Sequence, residues 1–228
     1  MRNKLNSRRF LFVIFNILAI GLFSACDTAD TNNSTVSLSF SNQTLAKILD
    51  DNIELDTVKI LLRDIKIKNQ SANNESNLKV GPFVVYLDLS GMTTDFAIGD
   101  MPPGFYDRVR FSVHKIEDSE TPPDPEFKEG NESNLRYSVI VKGKYNSQDF
   151  IYKSRKSAHQ DLKLETPIEV EANEIANLTI AVNPFSWFFD GTTLLDPTDA
   201  ANENDIDNNI KDSFKKCFRD DNHDGVTD

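Results

Sequence analysis

Val58-Lys59-Ile60-Leu61-Leu62-Arg63-Asp64-Ile65-Lys66-Ile67-Lys68 is the stretch that decides the fold. Side chains of a strand point alternately to opposite faces, so Val58, Ile60 and Leu62 share one face and Lys59 the other. Ile65 and Ile67 resume the alternation in the opposite phase, with Lys66 and Lys68 outside. A phase flip within one strand is the work of an extra residue, and a β-bulge is expected at Arg63 and Asp64. Period-two patterning recurs on both sides of this stretch. Val36, Leu38 and Phe40 alternate with serines, and Phe83, Val85, Leu87 and Leu89 follow. Val109, Phe111 and Val113 come next, then Tyr137, Val139 and Val141, then Phe150 and Tyr152. Leu162, Leu164, Ile168 and Val170, then Leu178, Ile180 and Val182, close the series.

These segments are separated by polar turns, with no repeated helix between them, which argues for antiparallel pairing and against βαβ units. Eight or nine short strands in about 150 residues make a two-sheet sandwich the economical expectation. The fold class read from the sequence is therefore all-β, an antiparallel two-sheet sandwich over residues 35–184 with one C-terminal helix. Two connections are long and polar, residues 69–79 and 117–134. The second carries Thr121-Pro122-Pro123-Asp124-Pro125 and is the candidate ligand loop. Residues 185–228 differ in character. Phe185, Trp187, Phe188 and Phe189 crowd together, either plugging one end of the sandwich or offering Trp187 and Phe189 as a stacking platform for a sugar. Ile206, Ile210, Phe214 and Phe218 lie four residues apart, so a helix is expected over 202–218.

The N-terminus gives an address. Arg2, Lys4, Arg8 and Arg9 precede an apolar run from Phe10 to Phe23, and small residues stand before Cys26. That is the layout of an export signal, too short for a comfortable membrane span. Ser24-Ala25-Cys26 resembles a bacterial lipobox, with Phe23 in the place usually held by Leu or Val. The resemblance implies removal of residues 1–25, acylation of Cys26, and residues 26–34 as a flexible tether. It also implies an extracytoplasmic protein held to the membrane by its lipid, at the outer membrane or cell surface; Asp27 after the cysteine is an inner-membrane retention signal in some bacteria. Four of the 25 Lys and Arg residues precede Cys26 and none of the 36 Asp and Glu do, so the remaining chain carries a net charge of −15. Such a surface repels nucleic acid and anionic headgroups, which excludes nucleic acid as a partner and leaves acyl chains as the attachment. Cys217 is then the sole remaining cysteine, so no internal disulfide is expected; it is read as a small apolar residue on the helix.

Three histidines, one free thiol and no phosphate-cradling or dinucleotide motif make a poor catalytic inventory, and the chain is read as non-enzymatic. One motif has a mechanism. Asp220-Asp221-Asn222-His223-Asp224-Gly225-Val226-Thr227-Asp228 places oxygen side chains at Asp220, Asn222 and Asp224, with Gly225 free to turn the chain so that the Val226 carbonyl can join them. It resembles the calcium loops of EF-hands, dockerins and thrombospondin type-3 repeats. That resemblance implies a calcium site of Asp220, Asn222, Asp224, Val226 and Asp228. The position-twelve glutamate is missing, because the sequence stops at the ninth position, and further ligands would come from Asp196, Asp199 or another molecule.

Met101-Pro102-Pro103-Gly104-Phe105-Tyr106-Asp107-Arg108-Val109-Arg110-Phe111 resembles the Pro-x-Gly-x-Tyr turn and strand of uncharacterised extracytoplasmic bacterial lipoproteins. The resemblance covers residues 36–185 and implies a transthyretin- or immunoglobulin-like sandwich. It lends no catalytic residues. The function expected is non-catalytic binding of a glycan or a protein partner at the cell envelope. The alternative is a structural or assembly lipoprotein, and a hydrolase stands third.

Overall fold

The structure is a computed structural model that describes residues 33–42, 52–70 and 75–228. The expected signal peptide, Cys26 and all but the last two residues of the expected tether lie outside these residues. Ten strands precede the aromatic segment: β1 (Ser34–Asn42), β2 (Ile53–Asn69), β3 (Glu75–Lys79), β4 (Phe83–Tyr86), β5 (Thr93–Met101), β6 (Gly104–Val113), β7 (Val139–Tyr145), β8 (Gln148–Ser154), β9 (Ala158–Val170) and β10 (Ile175–Val182). A small hairpin, β11 (Phe189–Asp190) with β12 (Thr193–Leu194), then the helix α1 (Glu203–Asp212) and the strand β13 (Lys216–Arg219) complete the chain.

The protein is mostly β with one short C-terminal helix, as the alternation predicts. The arrangement is less simple than two separate antiparallel sheets. The strands follow one hydrogen-bonded path, β5-β1-β10-β13-β9-β6-β2-β7-β8, with β3 and β4 also on β2. β1 pairs with β10 in parallel, and β13 meets β9 in parallel at the single pair Cys217 and Leu164. That pair joins the half of the sheet built on β1 and β10 to the half built on β2 and β6. Val36, Leu38 and Phe40 from the first half and Ile60, Val109 and Phe111 from the second bury their side chains in one apolar core. Phe214 packs on both Phe40 and Phe111, with ring centroids 5.8 and 5.5 Å away.

The expected bulge is present. Asp64 has φ 56°, and the β2–β6 register shifts between Arg63 and Lys66. β2 has β4 on one edge. At Leu62 the partner on the other edge is Val113 of β6, and at Ile60 it is Val139 of β7. β6 and β7 are therefore one line of strand along that edge, interrupted by residues 114–138. Their outer neighbours β8 and β9 also continue one another, with Val139 opposite Ser154 and Val113 opposite Ala158. Leu61 marks the break: its carbonyl accepts the His114 N–H and its N–H donates to the Ser138 carbonyl.

Two expectations are corrected here. The helix expected over 202–218 stops at Asp212, and Cys217 and Phe218 belong to β13. The backbone of β10 offers hydrogen bonds to residues 216–219, and Cys217 and Phe218 are both buried there, an outcome that helical spacing alone cannot foresee. The long connection expected at 69–79 ends in strand β3, which pairs with the C-terminal part of β2.

Candidate functional site

The insert at residues 114–138 leaves the sheet in mid-strand and folds back over its outer face. Leu61 and Ile140 point to that face and join Ile116, Phe127 and Tyr137 in a second, small apolar core. A buried phenylalanine there gives the insert a fixed seat, since burying such a ring contributes about 2–3 kcal/mol. The Lys128–Arg136 bridge and the Tyr137 N–H to Phe127 carbonyl bond close it as a hairpin. A short 3-10 turn at Pro125–Phe127 is capped by Asp124, whose Oδ1 accepts the Glu126 N–H at 2.9 Å.

Beneath it lies a buried cation. Lys59 Nζ donates to Asp124 Oδ2 at 2.7 Å and to Glu126 Oε2 at 3.1 Å, and sits over the Tyr86 ring. Lys142 reaches Glu126 at 2.7 Å, and the Tyr86 hydroxyl donates to Asp124 Oδ2 at 3.0 Å. Burial alone would lower the pKa of Lys59, but Asp124 and Glu126 hold it above the ordinary lysine value. The same bonds keep Asp124 below the usual carboxylate range, against the opposing effect of burial.

At the mouth of the insert, single ligating atoms of His114, Glu117 and Glu120 lie within 4.8 Å of one another. His114 Nε2 is 2.7 Å from Glu120 Oε2. The set could hold a divalent cation, but a cation is already there: Arg63 Nη1 lies 3.4 Å from Glu117 and 3.3 Å from Glu120. The Glu117 N–H donates to Glu120, and despite burial this bond, His114 and Arg63 depress the Glu120 pKa. These three residues fit a self-neutralised network better than an ion site. The cross-strand register also brings Ser112 Oγ to 2.8 Å from His159 Nδ1, a pair invisible in the sequence, on an exposed face of the sheet.

The C-terminal loop closes on itself. Asp220 is fully buried, and its Oδ1 accepts the Asp224 N–H while its Oδ2 accepts the Gly225 N–H and the Thr179 hydroxyl. Thr179 in turn bonds Ser39, so the loop is locked to the sheet through a buried chain of hydroxyls. Gly225 has φ 79°, and a Cβ there would lie 2.4 Å from Ser41 Oγ. Asn222 Oδ1 accepts the Asp224 N–H, Asp224 Oδ1 accepts the Val226 N–H, and Asp228 Oδ2 accepts the Asp221 N–H. Asn222, Asp224 and Asp228 remain open to solvent. Of the five expected calcium ligands, Asp220 is thus turned into the protein. Beside the loop, a cleft of about 370 Å³ is rimmed by Glu165, Glu169, Glu171, Glu174 and Asp228.

The aromatic segment packs into the main apolar core. Trp187 and Phe188 are fully buried in a 3-10 turn capped by Asn183, and Phe188 meets Phe150 and Tyr152 edge-on. Asn209 of α1 donates to the carbonyls of Trp187 and Phe189. Phe189 is only partly buried, but Trp187 offers no face to a sugar, so the cluster is a plug and not a stacking platform. Ile206, Ile210, Phe214 and Phe218 are buried as well. Cys217 is fully buried, and burial pushes its thiol up to about 12, which leaves it protonated and inert.

No protein-family model matches the chain, and no curated protein matches it. Among solved structures it is similar to MbnP from Methylosinus trichosporium, at 9% identity and a TM-score of 0.43, over 74% of this chain and 81% of that one. No helix among the described residues is long and apolar enough to cross a membrane.

Proposed function

We propose that the chain is a non-catalytic binding module, tethered outside the cytoplasm through lipid on Cys26, that presents the insert at residues 114–138 to a glycan. The observation that carries this reading is the insert itself. A segment that breaks a strand in mid-sheet forfeits ladder hydrogen bonds, and here it is rebuilt with its own core and a buried lysine beneath it. A loop held rigid on a scaffold loses little entropy when it binds, which is the property recognition requires. The lipobox-like Ser24-Ala25-Cys26 supports the address. The test is a glycan array probed with residues 27–228 and with a variant whose residues 117–134 are replaced by a short Gly-Ser link. Retention by the parent and loss in a still-folded variant are expected. In cells, Cys26→Ser is expected to abolish acyl labelling and release the protein from the membrane fraction.

The C-terminal loop enters the proposal as a weak calcium site. Its Asp-x-Asn-x-Asp-Gly spacing and the solvent-facing Asn222, Asp224 and Asp228 support this. Asp220 then anchors the loop to the sheet, and the exposed oxygens meet the ion.

A further inference from the structure

We propose that Lys115, Arg136, Arg155 and Lys156 form a binding site for a tetrahedral oxyanion, a phosphate or sulfate group, at the seam where both composite strands break. The inference rests on the binding-module reading and names the chemistry of the ligand.

Three separate pieces of chain meet there. Lys115 follows β6, Arg136 precedes β7, and residues 155–157 join β8 to β9. The pieces are fixed to one another: the Lys115 N–H donates to Ser157 Oγ at 3.1 Å, and Ser138 Oγ donates to the Lys156 carbonyl at 2.5 Å. Arg136 Nη1 is held by the Ile116 carbonyl at 2.9 Å. Lys115 Nζ reaches a neutral partner, Ser133 Oγ, at 2.6 Å.

Arg155 is paired with Glu203. Lys115, Arg136 and Lys156 make no ion pair among the described residues, although acidic side chains outnumber basic ones 36 to 25 over the whole sequence. Arg136, Arg155 and Lys156 all lie within electrostatic reach of Lys115 and, together with its burial, lower its pKa. Asp207 of α1 lies within electrostatic reach of Lys156, but it is buried and accepts the Tyr152 hydroxyl. Like charges held together by a folded backbone repel, and a ligand with opposite charge relieves the repulsion. The remaining guanidinium N–H groups, the ammonium groups and the hydroxyls of Ser133 and Ser157 are donors of the kind that phosphate and sulfate oxygens take. The acidic remainder of the surface does not cancel this at physiological salt, where charges beyond about 8 Å are largely screened.

The experiment titrates inorganic sulfate and phosphate into residues 27–228 by calorimetry, with chloride at matched ionic strength as control. Parallel arms use a sulfated oligosaccharide and its unsulfated form, which separates a free oxyanion from one carried on a glycan. Saturable binding is expected, weakened roughly fivefold or more by each of Lys115→Gln and Lys156→Gln and abolished by Lys156→Glu, with melting temperatures unchanged. Tighter binding of the sulfated sugar than of free sulfate would place the oxyanion on a glycan. Absence of saturable heat at tens of millimolar sulfate, or equal binding by the Lys115→Gln/Lys156→Gln variant, would overturn the site. If a glycan array still retained that double variant and lost the insert replacement, the module reading would stand without it. Sulfate binding alongside an empty array would separate them the other way.

Discussion

Replacing Lys59 with methionine tests how the insert is held. The side chain leaves the outer face of β2 and ends between Asp124 and Glu126, with Lys59 10% and Asp124 14% exposed. Methionine keeps most of the buried stem and removes the charge, so Asp124 stays under the insert without its cation. Stripping one partner from a sealed ion pair costs about 3–5 kcal/mol. Glu126, at 40% exposure, is well solvated and adds little. The residual water at Asp124 lowers the figure for the whole change to about 2–3 kcal/mol. A domain of this size loses about 2–4 °C of Tm per kcal/mol, so thermal unfolding followed by circular dichroism is expected to shift down by roughly 4–12 °C. The damage is local, so amides of residues 117–134 are expected to exchange faster while those of β1 and β10 hold. Adding Asp124→Asn to Lys59→Met removes the orphaned charge and is expected to recover part of the loss. A Tm within about 1 °C of the parent and unchanged exchange in the insert would mean that the Lys59–Asp124 pair does not hold the insert.

Asp220→Ala removes the acceptor for the Asp224 and Gly225 amides and the Thr179 hydroxyl, and at about 1 kcal/mol for each bond a loss near 3 kcal/mol is expected with or without calcium. Asp224→Ala is expected to leave Tm nearly intact but to abolish calorimetric heat on adding calcium; heat that survives it would remove the loop as a metal site. Burial, with Glu203 nearby, raises the pKa of Asp207, whose Oδ2 is buried without a hydrogen bond. A carboxyl with a raised folded-state pKa gives its full stability below the unfolded value near 3.9 and loses it as pH rises through the folded value. Asp207→Asn is therefore expected to flatten that decline and to melt higher than the parent at neutral pH; a lower Tm at neutral pH would contradict this.

What the sequence made legible was local. Alternation in residues 58–68 identified both the strand and its bulge, because side-chain phase is set within a few residues and the flip at Asp64 leaves a mark in the pattern. Pairing partners are not written that way. Nothing in Cys217 announces that it will sit opposite both Ile180 and Leu164, and the four-residue spacing of Ile206 through Phe218 fits a helix as well as a helix followed by a strand. The polar stretch at 117–134 was visible as a long connection, but its seat on Leu61 and Ile140 depends on β2 and β7 being neighbours. The cation cluster was hidden for the same reason, since Lys115, Arg136 and Lys156 meet only once two composite strands break at one level. Gly143 is a further case: its lack of a side chain matters because a Cβ would lie 2.0 Å from the Glu54 carbonyl across the β2–β7 ladder, a clash that no short window reveals.

The insert is the proposed recognition surface of a tethered module. Array binding by residues 27–228 beside the variant in which residues 117–134 are replaced by a Gly-Ser link, with both melting points in hand, decides whether the insert has that role. The parent is expected to retain a defined set of glycans and the variant none of them, with β1, β10 and the main core melting as before. Equal retention by a folded variant, or no retention by the parent, would contradict it.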